Sequence, residues 1–330
     1  MEVGLRLIDD AGSARSLVAL AVLADELGFE AVWYPHDSFR LNSWPLLGAT
    51  AVQTSRVRLG MRTNLFTCDL SEIASAAVTL DALSSGRAMV GLGTHTTRML
   101  SWIGREARDV LERSRDSVLV LEKLLRGERV ADVSRFFPWT DEAFLRCEIL
   151  RPDLPIYMAP FGAEYMRMSG TVGAGSLPMV TPPSSAEDVV HLVREGAESA
   201  GRTDVEIVGF LWISVADDRN EALRCVDDVV AYFGVYLDDF ALAHVGLCQE
   251  DFAGIRAALD RGDKEAAREL VTPPMRRLAV AGTVEDCIEQ LEGVAAAGVT
   301  HASLGGPLGP DPGIAVRLIG EKILPALARQ

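Results

Sequence analysis

The chain has 330 residues, 48% of them apolar and only 6% aromatic, with a formal net charge of −15. That length fits two ordinary domains or one large α/β barrel with insertions, and the apolar share supplies a large aliphatic core. The acidity is spread along the chain. It argues against a nucleic-acid partner or an anionic membrane surface, each of which needs an excess of Lys and Arg.

The N-terminus, MEVGLRLIDD, opens on a strand pattern with no basic n-region or long apolar h-region. Val3 to Ile8 reads as a first strand, and Leu17, Leu20, Ala21, Ala24 and Leu27 form a helical stripe closed by Gly28. Ala31–Tyr34 is a second strand left through Pro35, His36 and Asp37; Pro45–Gln53 is a helix and Val57–Thr63 a third strand. In the segment Ser71–Leu83, Ala76, Ala77, Leu80 and Leu83 share a helical face, and Ser84-Ser85-Gly86 stops that helix. Asp81 and Arg87 bracket the stop and read as an ion pair bracing it. Ala88–Leu92, free of charge, is a fourth strand buried on both faces, turned out at Gly93.

A long amphipathic helix follows, from about Ala107 to Leu125. The stretch 127–152 is too long for an ordinary loop and reads as an insertion or lid, its Phe136, Phe137, Trp139 and Phe144 either lining a pocket or pinning the segment down. Further strands are expected at Pro155–Ala159, Ser176–Val180, Val205–Val215 and Thr300–Leu304, with helices at Gly162–Gly173, Ala186–Ala200, Val284–Ala297 (N-capped by Thr283) and Ile314–Ala328, and a second insertion over about 235–280.

Eight strands alternating with helices point to a single (β/α)8 TIM barrel over residues 1–330; a doubly wound sheet explains six or seven such units equally well. No Gly-x-Gly-x-x-Gly follows the first strand and there is no Walker A sequence. In a barrel, the chemistry lies where the strands end. Those ends carry His36 and Asp37; Thr63 and Asn64; Gly93, Thr94, His95 and Thr96; and Phe161, Gly162, Ala163 and Glu164, where free N–H groups at a helix start can hold a phosphate. His36 and His95 are candidate proton donors, while His191, His244 and His301 read as structural. No metal-ligand spacing is present. Five scattered cysteines without a CxxC pair fit a reducing cytoplasm. No apolar run is long enough to span a membrane.

The run Thr79–Arg87 followed by Gly91-Leu92-Gly93 resembles the helix–strand signature of the luciferase-like monooxygenase superfamily, and the likeness extends over nearly the whole chain through Ala24–Trp33, Pro155–Gly170 and Ala281–Leu308. The last of these is similar to the C-terminal end of the coenzyme F-420-dependent methylenetetrahydromethanopterin reductase branch. The resemblance implies a barrel holding a deazaflavin, or alternatively FMN, in its mouth. It places the ring over Met61, Arg62, Thr63 and Asn64, where many members carry a non-proline cis peptide, and the ribityl-phosphate arm over Gly93–Thr97 and Phe161–Glu164. It implies hydride transfer between coenzyme F-420 and a C=C or C=N bond of a small molecule or modified peptide, with His36, Asp37 or His95 moving the proton, in a cytoplasmic homodimer. An FMN-dependent monooxygenase and a non-catalytic flavin-binding barrel are the alternatives. Against the family pattern, His36-Asp37 stands inverted from the usual Asp-His, and the run Asn64-Leu65-Phe66-Thr67-Cys68-Asp69-Leu70 has neither the basic residue nor the proline that often follow the third strand.

Overall fold

The computed structural model describes residues 1–94 and 96–329. The strands are β1 (Glu2–Arg6), β2 (Ala31–Pro35), β3 (Arg58–Asn64), β4 (Ala88–Gly93), β5 (Ile156–Ala159), β6 (Gly175–Ser176), β7 (Glu206–Val215), β8 (Ala279–Gly282) and β9 (His301–Leu308). Every pairing among them is parallel. β1 to β7 pair in sequence, β7 pairs β9, and β9 returns to β1, so eight strands close a barrel. β8 is a ninth strand, absent from the sequence reading. It lies beside the C-terminal half of β7, in register from Trp212↔Ala279 to Val215↔Gly282. β6 is shorter than expected because it is clasped between β5 and β7 at two residues only. β9 runs on through Gly305-Gly306-Pro307, beyond the expected end at Leu304.

The barrel helices are α1 (Ala14–Leu27), α2 (Ser43–Ala51), α3 (Leu70–Ser84), α4 (Thr97–Ser101), α5 (Val110–Leu125), α6 (Gly162–Thr171) and α7 (Ala186–Ser199). Next come α8 (Arg219–Phe233) and four short helices, α9 (Asp239–Ala243), α10 (Ala253–Asp260), α11 (Lys264–Glu269) and α12 (Pro273–Arg276). The chain closes with α13 (Val284–Ala296), α14 (Pro312–Leu318) and α15 (Leu324–Leu327). α1 ends on Gly28 at φ 84°, as its sequence predicts. Thr283 and Asp286 form a reciprocal capping box at the start of α13.

Strand alternation sorts the side chains. Val32, Leu59, Met61 and Val90 face the helices and join the main core. Ala31, Trp33, Met89, Tyr157, Val208 and Phe210 fill the barrel interior. A large inward side chain is repeatedly set against a glycine on the next strand: Trp33 beside Gly60, Arg62 beside Gly91, and Arg6 beside Gly305. A Cβ on Gly60 would lie 2.2 Å from the Trp33 ring, and one on Gly305 would lie 2.4 Å from Arg6 Nε. These glycines are spaces for their neighbours' side chains.

At the N-terminal end of the barrel, Arg58 is held by Glu2 at 2.9 Å, Glu30 at 2.8 Å and Glu206 at 3.3 Å, with His301 Nδ1 at 3.4 Å. Glu2, Glu206 and His301 are close enough together to hold a metal ion. Arg58 already supplies the cation there. Asp81 and Arg87 do not pair with each other as the sequence suggested. Asp81 is buried, accepts the Ala88 N–H at 3.1 Å and binds Arg151 at 2.5 Å. Arg87 instead donates to the carbonyls of Ala51, Thr54 and Val57, closing the C-terminal end of α2. Both serve the stability end of the barrel.

The segment between α5 and β5 is not a lid. Phe137, Phe136 and Trp139 join the main core, and Trp139 and Phe144 line a hollow with Ser71 and Ala74 of α3, so the segment lies along the outside of the barrel. The covering over the mouth is helical. α8 to α12 form their own apolar core, with Val226, Val230, Phe252 and Leu242 packed on Trp212 of β7 and Ala279 of β8. No helix among the described residues is long and apolar enough to cross a membrane.

Candidate active site at the barrel mouth

The C-terminal ends of β1, β2, β3 and β7, with α4, the start of α6 and the end of α8, enclose a cavity with about 810 Å³ of empty space, part of it open to solvent. Most of its wall is apolar: Met99 and Trp102 from one side, Phe161, Met179 and Trp212 from another, and Phe233 and Leu237 from the helical layer. Its charged residues are Arg6, Asp37, Arg40 and Arg62. The helical layer is tied to the mouth loops. Arg40 bonds Asp9 at 2.7 Å and lies 5.9 Å and 5.7 Å from the Tyr232 and Phe233 ring centres. Arg98 bonds Asp260 at 2.8 Å and faces Tyr236 at 5.8 Å.

The expected site residues divide by strand parity. Arg62, on the inward face of β3, lines the cavity and is only 1% exposed. Its Nη2 donates to the Thr94 carbonyl at 3.3 Å, and its Nε has no hydrogen-bond partner among the described residues. Burial pushes this guanidinium below the ordinary arginine range, and the neighbouring charge of Asp37 works against that shift. Asn64 also faces inward: Oδ1 accepts the Phe66 N–H at 2.7 Å, while Nδ2 is buried without a partner among the described residues. Met61 points away from the mouth into the core between strand and helices, and Thr63 lies near Cys68. β3 pairs with β4 without a break from Leu59↔Ala88 to Asn64↔Gly93. Among the described residues only Gly306–Pro307 is cis, so the cis peptide implied for β3 is not found.

His36 and Asp37 also part company. Ala31, Trp33 and Pro35 face the barrel, so position 37 continues toward the cavity and position 36 turns outward. Asp37 lines the mouth. His36 instead meets Ser43 Oγ through Nδ1 at 3.0 Å and hydrogen-bonds the Cys68 thiol. That bond raises His36, against the effect of burial. Burial pushes the Cys68 thiol up, but hydrogen bonds to His36, Thr63 and Thr67 and the His36 charge together outweigh it and bring the thiol down to about 7. The inverted order thus gives the mouth a carboxylate and sends the imidazole behind the strand.

Of the remaining candidates, Thr96 and Phe161 line the cavity. Thr96 also caps α4, accepting the Met99 N–H at 3.3 Å. Gly93 is packed against Ala159 and Arg62, where a Cβ would lie 3.0 Å from each. Gly162 and Ala163 open α6, whose first turn has no side-chain cap. Glu164 is exposed. Asp238, at the start of α9, approaches that opening, with Oδ2 3.8 Å from where a Gly162 Cβ would be. His95 lies outside the described residues. His244 pairs with Asp188 at 2.7 Å and His301 belongs to the cluster around Arg58; neither lines the mouth cavity.

The sequence reading did not find Arg6, Arg40, Trp212 or the aromatics at the end of α8. The first of these had a signal: Glu2, Gly4 and Arg6 alternate with Val3 and Leu5, marking a polar inward face. The α8 aromatics had none, because only the fold of the helical layer brings them over the mouth.

A sequence profile of the luciferase-like monooxygenase family matches residues 2–301. The chain is 28% identical over 312 residues to the 5,10-methylenetetrahydromethanopterin reductase of Methanolobus tindarius, spanning 92% of this chain and 94% of that protein. It is 30% identical over 302 residues to the 4-hydroxyprotoasukamycin monooxygenase of Streptomyces nodosus subsp. asukaensis, spanning 83% of this chain and 75% of that one. The solved structure of the coenzyme F-420-dependent tetrahydromethanopterin reductase from Methanopyrus kandleri superposes with a TM-score of 0.91 at 26% identity, over 98% of each chain.

Proposed function

The chain belongs to the luciferase-like monooxygenase family, and from that footing we propose that it is a coenzyme F-420-dependent oxidoreductase that moves a hydride between the deazaflavin and a C=C or C=N bond of a small organic substrate. The observation that carries this reading is the match along nearly the full length, in sequence and in backbone, to F-420-dependent reductases. The mouth fits such a group. Its apolar and aromatic walls suit a planar ring, the buried Asn64 Nδ2 beside Gly93 has no hydrogen-bond partner among the described residues, and α6 opens without a side-chain cap.

When bound, the deazaflavin supplies the hydride chemistry at its C5. The chain's own residues do the rest. Phe161, Trp212 and Phe233 line the cavity and would exclude water from the reacting partners. Asn64 Nδ2, opposite Gly93, would offer a donor to the ring's oxygen atoms, and the first turn of α6 would hold the phosphate arm. Asp37 is the only carboxyl among the described residues lining the cavity. It is the group placed to give or take the proton that accompanies the hydride, with His95 as a second candidate from the sequence.

Turnover of reduced F-420 against a panel of enones and imines tests this. Asp37→Asn is expected to lower kcat about 100-fold while leaving cofactor affinity unchanged. An unchanged kcat would remove Asp37 from the reaction. One observation favours a second reading, an FMN-dependent monooxygenase: the 30% identity to 4-hydroxyprotoasukamycin monooxygenase. We also propose a homodimer, supported by the exposed Phe39 and Leu41 beside the mouth loops; a monomeric mass by light scattering at micromolar concentration contradicts it.

A further inference from the structure

We infer that Arg62 is the recognition point for a carboxylate carried by the substrate on an otherwise apolar, planar body. This deepens the assignment of the mouth as the active site and names the class of molecule that enters it.

A guanidinium has five N–H donors in a fixed plane. Arg62 is buried, and among the described residues it makes one hydrogen bond, a 3.3 Å contact to the Thr94 carbonyl, while Nε has no partner there. A buried cation so poorly served costs folding energy unless a ligand completes it. Arg62 is also held in place. It stands opposite Gly91 in the strand pairing, and a Cβ at Gly93 would lie 3.0 Å from its Nη2. Gly93 keeps open the space the guanidinium needs. Arg6 and Arg40 line the same cavity, and its Phe161, Met179, Val180, Trp212 and Leu237 suit an apolar body. Asp37, which follows the neighbouring strand, also lines the cavity and lies near enough to offset part of the charge. A planar acid matches both halves of this site: its carboxylate can take two parallel N–H donors, and its body fills the aromatic slot.

The same donors could instead serve the carbonyl edge of the cofactor ring, so the test separates the two. The probes are trans-cinnamate and its neutral isostere cinnamamide. The readouts are quenching of the cavity tryptophans, Trp102 and Trp212, and calorimetry on the full chain without cofactor. Cinnamate is expected to bind about tenfold or more tightly than the amide. Arg62→Met should bring the two within about twofold, Arg62→Lys should keep part of the preference, and Asp37→Asn should enlarge it. Equal affinities in the wild-type protein overturn the inference, as does a preference that survives in folded Arg62→Met. If Arg62→Met does not fold, an unaltered preference in both Arg62→Lys and Asp37→Asn overturns it equally. In protein saturated with F-420, cinnamate that still binds supports a substrate site. Displacement of F-420 by cinnamate assigns Arg62 to the cofactor and overturns it. Because the charge preference is read without cofactor, a protein that binds no F-420 refutes the proposed function and leaves this result standing.

Discussion

Replacing Gly60 with alanine should destabilise the barrel through one contact. The new Cβ would lie 2.2 to 2.6 Å from three atoms of the Trp33 ring. That ring cannot retreat, because it is wedged edge-on against Tyr157, with centroids 5.5 Å apart, and against Phe210 at 6.1 Å. Overpacking a core by one methyl costs about 1–3 kcal/mol, and a clash this deep against a fixed ring belongs at about 3 kcal/mol. Trp33→Leu alone should cost about 3–4 kcal/mol through the cavity it opens. Together the two changes relieve each other: the methyl enters space the indole has left. The double mutant should therefore be no worse than Trp33→Leu, a coupling of about 3 kcal/mol. Urea unfolding followed by circular dichroism on the four proteins measures this. If the two costs add to within about 0.5 kcal/mol, Trp33 does not fill the barrel against Gly60, and the account of inward side chains facing glycines is wrong.

Other consequences can be checked independently. Cys68 should be carbamidomethylated by iodoacetamide ahead of the exposed Cys147 and Cys248 near pH 6.5, with a midpoint near 7, and His36→Ala should move that midpoint up; mass spectrometry across pH reads both. The sign for stability follows. A thiol lowered from 9.0 to about 7 stabilises the fold fully above pH 9 and loses that contribution as pH falls through 7, so Cys68→Ser should cost more at pH 9 than at pH 6 in thermal melts. Asp238→Asn should tighten binding of a phosphate-bearing cofactor several-fold, by removing a carboxylate from the opening of α6; an unchanged Kd in calorimetry would place the phosphate elsewhere. Arg151→Ala leaves the Asp81 carboxylate buried beside Ala88 without its guanidinium and should cost about 3 kcal/mol, with cofactor affinity unchanged because the pair lies at the far end of the barrel.

The sequence carried the barrel well because its strongest signals are periodic. The stripe of α1, the stop at Ser84-Ser85-Gly86 and the uncharged β4 each follow from local chemistry and stand where they were expected. β8 escaped because Ala279-Val280-Ala281-Gly282 is too short to show a period and sits between helices. The aromatic insertion was legible as an insertion, but its place against α3 depends on packing that no local pattern encodes. The mouth was half legible. Alternation along Arg58, Gly60, Arg62 and Asn64, and along Ala31, Trp33 and Pro35, already turns Arg62 and Asp37 inward and His36 outward. The preference for histidine as a proton donor hid that parity. The aromatics of α8 arrive from a distant segment and could be found only in three dimensions.

Calorimetric titration of the purified protein with F-420, and separately with FMN, tests the central claim most directly. The account predicts saturable, stoichiometric binding of F-420, with little binding of FMN. Tight binding of FMN with none of F-420 would contradict it and place the chain with the oxygen-using members of its family.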